Sequence, residues 1–161
     1  MANNTLINCF GLFLLTSLFA PILGQSFQGE VYWVYQKDDT DYRLKLEKAS
    51  QKGIQILNQQ KSLTFRVQFN AKEWEMLRQG GIAFPLHIEW YRYNRAKLSV
   101  FEVQTLEEKH TEKVKLEEKM YYRLSSTQVN ILSGTWLVKV SDAKGQVLSF
   151  NGQKEFDVIV L

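Results

Sequence analysis

The sequence predicts an all-β fold: one antiparallel β-sandwich of two facing sheets, with a single short helix near residues 71–79. Three observations carry this expectation. Apolar and polar residues alternate with a period of two in run after run along the chain. The runs are short and punctuated by turn-forming residues, with no Pro/Gly/Ser linker, low-complexity tract or internal repeat between them. Aromatic residues make up 13% of the 161 residues, a richness that suits pleated, half-buried surfaces.

Each element follows in order. VYWVYQ (31–36) is the first candidate strand. YRLKLEK (42–48) sets Tyr42, Leu44 and Leu46 on one face against Arg43, Lys45 and Glu47, and GIQIL (53–57) follows a glycine. SLTFRVQF (62–69) places Leu63, Phe65, Val67 and Phe69 inward and Thr64, Arg66 and Gln68 outward. Asn70 breaks the rhythm. With Glu73 it makes a capping-box pair for AKEWEMLRQ (71–79), and Gly80-Gly81 stops the helix. FPLHIEWYRY (84–93) resumes the alternation with Phe84, Leu86, Ile88 and Trp90 inward; Pro85 lacks a ladder donor and belongs at the strand start or an edge. KLSVFEVQ (97–104) returns after a turn at 94–96.

LEEKHTEKVKLEEK (106–119) is the most charged stretch, a helix or a charged loop entering a strand. Its apolar residues give no helical stripe, Val114 and Leu116 fit a strand, and such a segment suits a solvated sheet edge. MYYRLSS (120–126) leads to SGTWLVKVSDAKGQVLSF (133–150), which reads as a β-hairpin. Trp136, Val138 and Val140 point inward, Asp142-Ala143-Lys144-Gly145 forms a type I turn, and Leu148 and Phe150 return to the same core. Asn151-Gly152 ends that strand or turns again, and Phe156, Val158 and Val160 close the chain on the core.

Residues 1–24 contain no charged side chain and enclose the apolar run FGLFLLTSLFA (10–20), the length of a signal-peptide core and short for a membrane span. The expected organisation is a signal peptide over 1–24 and a single β-sandwich domain over 25–161, a retained N-terminal anchor being the alternative. The only cysteine, Cys9, lies inside the leader with its apolar run downstream, which excludes lipidation there. Beyond Gly24 there is no cysteine and no Asn-x-Ser/Thr sequon. A secreted or periplasmic location in a bacterial cell envelope is the expectation. The net charge of +3 is small and its carriers are interspersed with acids, so nothing marks a nucleic-acid footprint.

The string G-T-W-L-V-K-V-S-D-A-K-G-Q-V-L (134–148), followed by F-D-V (156–158), resembles the C-terminal hairpin of bacterial immunoglobulin-like domains. In particular it is similar to an uncharacterised bacterial domain family with a G-x-W-x-V-x-V-x-D-x-x-G-x-x-L ending. That family carries a tryptophan-bearing strand and a serine-serine turn earlier in its chain, places that Ile88-Glu89-Trp90-Tyr91 and Tyr122-Arg123-Leu124-Ser125-Ser126 fill here. The resemblance spans residues 84–161 and implies an immunoglobulin-like sandwich. The matching positions are core and turn residues, so it implies no activity.

Motifs for chemistry are few. There is no nucleophile elbow, and the two histidines, His87 and His110, carry no ligand spacing. Asp38, Asp39 and Asp41 cluster at a turn, but an EF-hand counted from Asp39 would put Leu44 and Ser50 where glycine and glutamate are required. Gly80-Gly81 lacks the lysine of a phosphate loop. No catalytic residue, metal or cofactor is therefore expected. The candidate binding face is the outward side of strand 84–93: His87, Glu89, Tyr91 and Tyr93, whose rings suit a sugar or a protein partner and whose plainer role is an ordinary outer face. Trp33 with Tyr32 and Tyr35 reads as core, edge packing or a contact patch, and Trp74 as a cap on the open end of the sandwich. The functional expectation is an exported non-enzymatic envelope protein, a protein-interaction or structural accessory module. A glycan- or peptidoglycan-binding module using the aromatic face is the alternative, and neither nucleic acid nor a membrane span after leader cleavage is expected.

Overall fold

The computed structural model describes residues 26–37, 40–45, 62–94 and 97–160. The leader 1–24, the strand expected at 53–57, Leu46, Asp38 and Asp39 lie outside the described residues. Two sheets face each other in an immunoglobulin-like sandwich. One has five strands, in the order β3 (Thr40–Lys45), β2 (Glu30–Lys37), β4 (Ser62–Asn70), β8 (Lys119–Val129) and β7 (Glu112–Leu116). The other has four: β11 (Phe156–Val160), β9 (Gly134–Ser141), β5 (Leu86–Asn94) and β6 (Lys97–Leu106). All pairings within these two sheets are antiparallel. A two-stranded parallel ribbon joins β1 (Ser26–Phe27) to β10 (Ser149–Phe150).

The inward sets predicted from alternation form the core. Leu63, Phe65, Val67 and Phe69 of β4, Leu86, Ile88 and Trp90 of β5, and Trp136, Val138 and Val140 of β9 are all buried in one cluster. Trp33 is fully buried and belongs to it, which makes this residue core and not a contact patch. Aromatic edges meet across the two layers: Trp33 and Trp90 have ring centroids 5.7 Å apart and Phe65 and Phe156 5.1 Å apart. The layers also share hydrogen bonds. Trp90 Nε1 donates to Ser126 Oγ (2.7 Å), Ser126 Oγ donates to Gln104 Oε1 (2.5 Å), and Gln128 Nε2 donates to Glu102 Oε2 (2.7 Å).

The helix α1 (Ala71–Gln79) begins as its sequence requires. Asn70 Oδ1 accepts from the Glu73 amide (2.9 Å) and Glu73 Oε2 accepts from the Asn70 amide (2.8 Å), a complete capping box. Gly81, at φ +77°, carries the chain out of the helix. Trp74 stacks on Tyr122, with centroids 5.2 Å apart and planes 5° apart, and touches Phe69 and Phe84. It covers one end of the sandwich, as its position after β4 predicts.

Four details differ from the sequence reading. Alternation sets Thr64 and Gln68 outward, and both are buried. Each faces away from the core, but Thr64 Oγ1 bonds Thr127 Oγ1 (2.8 Å), and Gln68 Oε1 accepts from Arg123 Nε (2.7 Å) and from the Tyr32 hydroxyl (3.4 Å), so neighbouring side chains on a central strand cover both. Ser125-Ser126 is the middle of β8 and not a turn, because residues 121–129 of β8 pair with the whole of β4. The return arm of the 133–150 hairpin holds its partner through one bridge, Ser141 to Val147, and then leaves to pair with β1, while β11 occupies the vacated edge of β9. The inward burial of Leu148 and Phe150 survives this exchange. Leu137, on the outward side of β9, is also buried; it lies in register between Tyr91 and Asp157.

The charged stretch resolves into a 3₁₀ turn (Glu108–His110), β7 at the sheet edge and a two-residue turn into β8. Glu117 (φ +46°) and Glu118 (φ +65°) both sit in the left-handed region, where a Cβ is unfavourable. Replacing the pair with Asn-Gly should stabilise the fold by about 1 kcal/mol, read as a higher urea midpoint at constant slope. By contrast, Gly29 is buried beneath Phe69, where an added Cβ would lie 2.8 Å from the ring. Gly29→Ala should cost about 1–3 kcal/mol in the same measurement.

Candidate functional site

β5 runs through the middle of the four-stranded sheet, and its odd-numbered residues from 87 to 93 point away from the core because the even-numbered ones fill it. His87, Glu89, Tyr91 and Tyr93 therefore form a row on the outer face, as their spacing predicts. Register sets their neighbours. Thr105, Val103, Val100 and Leu98 of β6 flank the row on one side, with Ser141, Lys139 and Leu137 of β9 on the other. A bulge between Trp90 and Tyr91 in the β5–β6 ladder gives Phe101 no partner, and Phe101 turns onto the edge of Trp136, 4.8 Å between centroids. Val100 and Val103 are more than half exposed, at 57% and 51%, and Tyr93 is 43% exposed. The result is an aliphatic and aromatic strip on the outer face of the four-stranded sheet.

The polar groups in the row are paired among themselves. The Tyr91 hydroxyl donates to the Glu89 carboxylate, and Lys139 Nζ lies 5.4 Å above the Tyr91 ring while binding Glu155 Oε1 at 2.6 Å. His87 Nδ1 is 3.5 Å from Thr105 Oγ1, the limit of a hydrogen bond. The hydrogen bond to Glu89, then burial, then the charges of Glu89 and Glu155 push the Tyr91 phenol up from 10.0 to about 12. Tyr91 is thus a protonated donor at neutral pH, suited to orienting a carboxylate or a ligand oxygen. A raised phenol favours the folded state while it stays protonated; that contribution is present below pH 10 and is lost as pH rises from 10 towards 12. Glu89→Gln should bring the Tyr91 titration down towards 10, read from phenolate absorbance against Tyr91→Phe as the reference.

Two adjoining concavities lie beside α1; the smaller, of about 340 Å³, is lined by Gln79, Ile82 and Phe84 and shares Glu75, Arg78 and Glu108 with the larger. A cleft of about 490 Å³ lies between α1 and β7, lined by Trp74, Glu75, Lys109, Thr111, Lys113 and Tyr122, and Arg78 crosses it to Glu108 at 3.1 Å. Its acids and cations are mixed and neither histidine enters it. Among the described residues no three His, Cys, Asp or Glu side chains converge where they could hold a metal ion, and no helix is long and apolar enough to cross a membrane. The sequence reading missed two long-range polar anchors, both structural. Asp142 binds the segment before β5, and the Asn151 amide pairs with both backbone groups of Gly29. Only their turn-forming identity was visible in the sequence. No protein-family model matches this chain, and no curated protein matches it.

Proposed function

We propose that this protein is an exported, non-enzymatic interaction module of the bacterial cell envelope, which binds a partner protein through the outer face of its four-stranded sheet. One observation carries the reading: the strip formed by Tyr91, Tyr93, Leu98, Val100 and Val103, where aliphatic side chains stand in water beside a row of tyrosines. Exposed apolar side chains grouped on one surface mark contact sites, and tyrosine supplies contact area with a hydrogen-bonding tip. The uncharged leader-like segment 1–24 and the resemblance of residues 84–161 to bacterial immunoglobulin-like domains support the envelope assignment. The test is in-cell crosslinking from a photoreactive residue at position 93, followed by recovery from envelope fractions. The expected result is a discrete crosslinked species that Val100→Lys abolishes. Absence of such a species, or its persistence in that variant, overturns the reading.

A glycan partner is the second reading, favoured by the exposed Tyr93 ring beside the Glu89–Tyr91 hydrogen bond, an arrangement of stacking surface and polar anchor. Soluble peptidoglycan fragments would then shift the amide signals of residues 87–93; unchanged signals at millimolar fragment dismiss it.

A further inference from the structure

The chain contains one Asn-Gly pair, Asn151-Gly152, and both residues are exposed. They form a two-residue turn with positive φ at both positions, +50° and +84°. Phe150 and Gln153 close it by exchanging both backbone hydrogen bonds, at 2.8 and 3.0 Å. Asn-Gly is also the dipeptide in which an asparagine side chain cyclises most readily, because the attacking glycine nitrogen has no side chain beside it. Here both reacting groups are held by residues 26–29. Asn151 Nδ2, the leaving group, donates to the Gly29 carbonyl (2.5 Å), and Asn151 Oδ1 accepts from the Gly29 amide (3.2 Å). The nucleophile, Gly152 N, donates its hydrogen to Ser26 Oγ (2.7 Å). The Asn151 backbone amide donates to the Phe27 carbonyl (2.8 Å).

We infer that Asn151 is a deamidation site latched shut by residues 26–29, so that release of this segment from the turn is recorded as an irreversible change at position 151. While latched, the side-chain amide is turned towards Gly29, and the Gly152 proton is shared with a neutral hydroxyl that does not take it. Once released, Gly152 N gives its proton to solvent base and forms a bond to Asn151 Cγ. The Cγ–Nδ2 bond breaks, and the nitrogen takes up a proton and leaves as ammonia. Water then opens the five-membered succinimide at one of its two carbonyls, giving aspartate or isoaspartate with no electron transferred. Neither product relatches. A carboxylate has no N–H for the Gly29 carbonyl and sets a negative charge against it. Isoaspartate adds a backbone carbon to a turn that two residues close. The latch itself is small: β1 contributes only Ser26 and Phe27 to its parallel pair with β10. It therefore opens locally at lower cost than the sandwich unfolds.

The test is incubation of protein purified from cells expressing the full chain in mildly alkaline buffer, with conversion at position 151 followed by mass spectrometry of proteolytic peptides. A synthetic peptide of residues 147–155 supplies the unlatched rate. The folded protein should convert far more slowly than the peptide. Ser26→Ala removes the acceptor of the Gly152 N–H and should raise the rate about five- to ten-fold, the local opening gained when one hydrogen bond is lost. Thr127→Ala removes a hydroxyl bond on the five-stranded sheet, to Thr64 at 2.8 Å, and should leave the rate unchanged. Asn151→Asp installs one product directly and should speed amide exchange at Gly29 while the β4 core amides stay protected. A folded protein that converts as fast as the peptide overturns the inference. So does a Ser26→Ala rate equal to that of wild type, a Thr127→Ala rate that matches Ser26→Ala, or unchanged exchange at Gly29 in Asn151→Asp.

Discussion

Trp90→Ala should cost about 3–5 kcal/mol, the range for truncating a large aromatic side chain in a packed core, and should leave the protein near its unfolding threshold at growth temperature. Trp90 is fully buried at the centre of the sandwich. Its ring meets Trp33 of the opposite sheet at 5.7 Å and Trp136 of the neighbouring strand at 6.3 Å, both edge to face. Alanine would leave a cavity bounded by two other indoles that cannot collapse into it without leaving their own contacts. It would also remove the donor to Ser126 Oγ, one of the bonds tying β5 to β8 across the layers. Conservative variants separate these effects. Trp90→Phe loses an indole N–H that has a partner. Trp33→Phe loses one that has none among the described residues although it is buried. Trp33→Phe should therefore be the milder of the two by about 1 kcal/mol, the net worth of a buried hydrogen bond. Urea unfolding of the three variants decides the point: equal losses for the two phenylalanine variants would show that packing alone accounts for Trp90.

The parts of this fold that sequence made visible are those in which local pattern and tertiary burial agree. In β4, Leu63 to Phe69 alternate without exception and all four apolar side chains are core. Asn70 and Glu73 are three residues apart and close their capping box with no help from elsewhere. The outward row on β5 was legible for the same reason, since fixing Ile88 and Trp90 inside fixes Glu89 and Tyr91 outside. What could not be read depends on partners distant in the chain. Alternation assigns Leu148 and Phe150 to the core, yet it says nothing about which strand pairs with Phe150, and the answer is β1, more than 120 positions earlier. The same holds for edges. KLSVFEVQ reads as a strand wherever it lies; only the sheet order places it outermost and leaves Val100 and Val103 uncovered. Nor did composition announce the exposed strip, because three of its members, Leu98, Val100 and Val103, look like ordinary core residues in sequence. Polar residues fare worst. Ser126 reads as an interruption of an apolar strand, and its purpose appears only when Trp90 and Gln104 meet it from the opposite sheet.

Asp142 is the polar residue with the largest expected effect. The sequence marks it as the first residue of a type I turn, and it is: the Gly145 amide donates to its carbonyl at 2.9 Å, with Gly145 at φ +79°. A turn aspartate is ordinarily solvated, whereas Asp142 is 1% exposed. Its Oδ1 accepts from the amides of Lys144 and Gln146, both at 2.9 Å, and its Oδ2 faces the Ala83 amide at 3.4 Å. The Ala143 amide adds a backbone bond to the Ala83 carbonyl at 2.9 Å. The carboxylate thus closes its own turn and fastens that turn to the segment leading into β5, 59 positions earlier in the chain. Asp142→Ala removes the acceptor and leaves these amides without it, which should cost about 2–3 kcal/mol. Asp142→Asn keeps an oxygen for Lys144 and Gln146 but turns an amide donor towards the Ala83 N–H, so its loss should fall between wild type and alanine. Amide exchange locates the effect: Ala83, Lys144 and Gln146 should exchange faster in the alanine variant, while the β4 core amides change only as far as global stability does. A loss below about 0.5 kcal/mol, the level of an ordinary surface substitution, would mean that water replaces the carboxylate and that the two backbone bonds hold the turn without it.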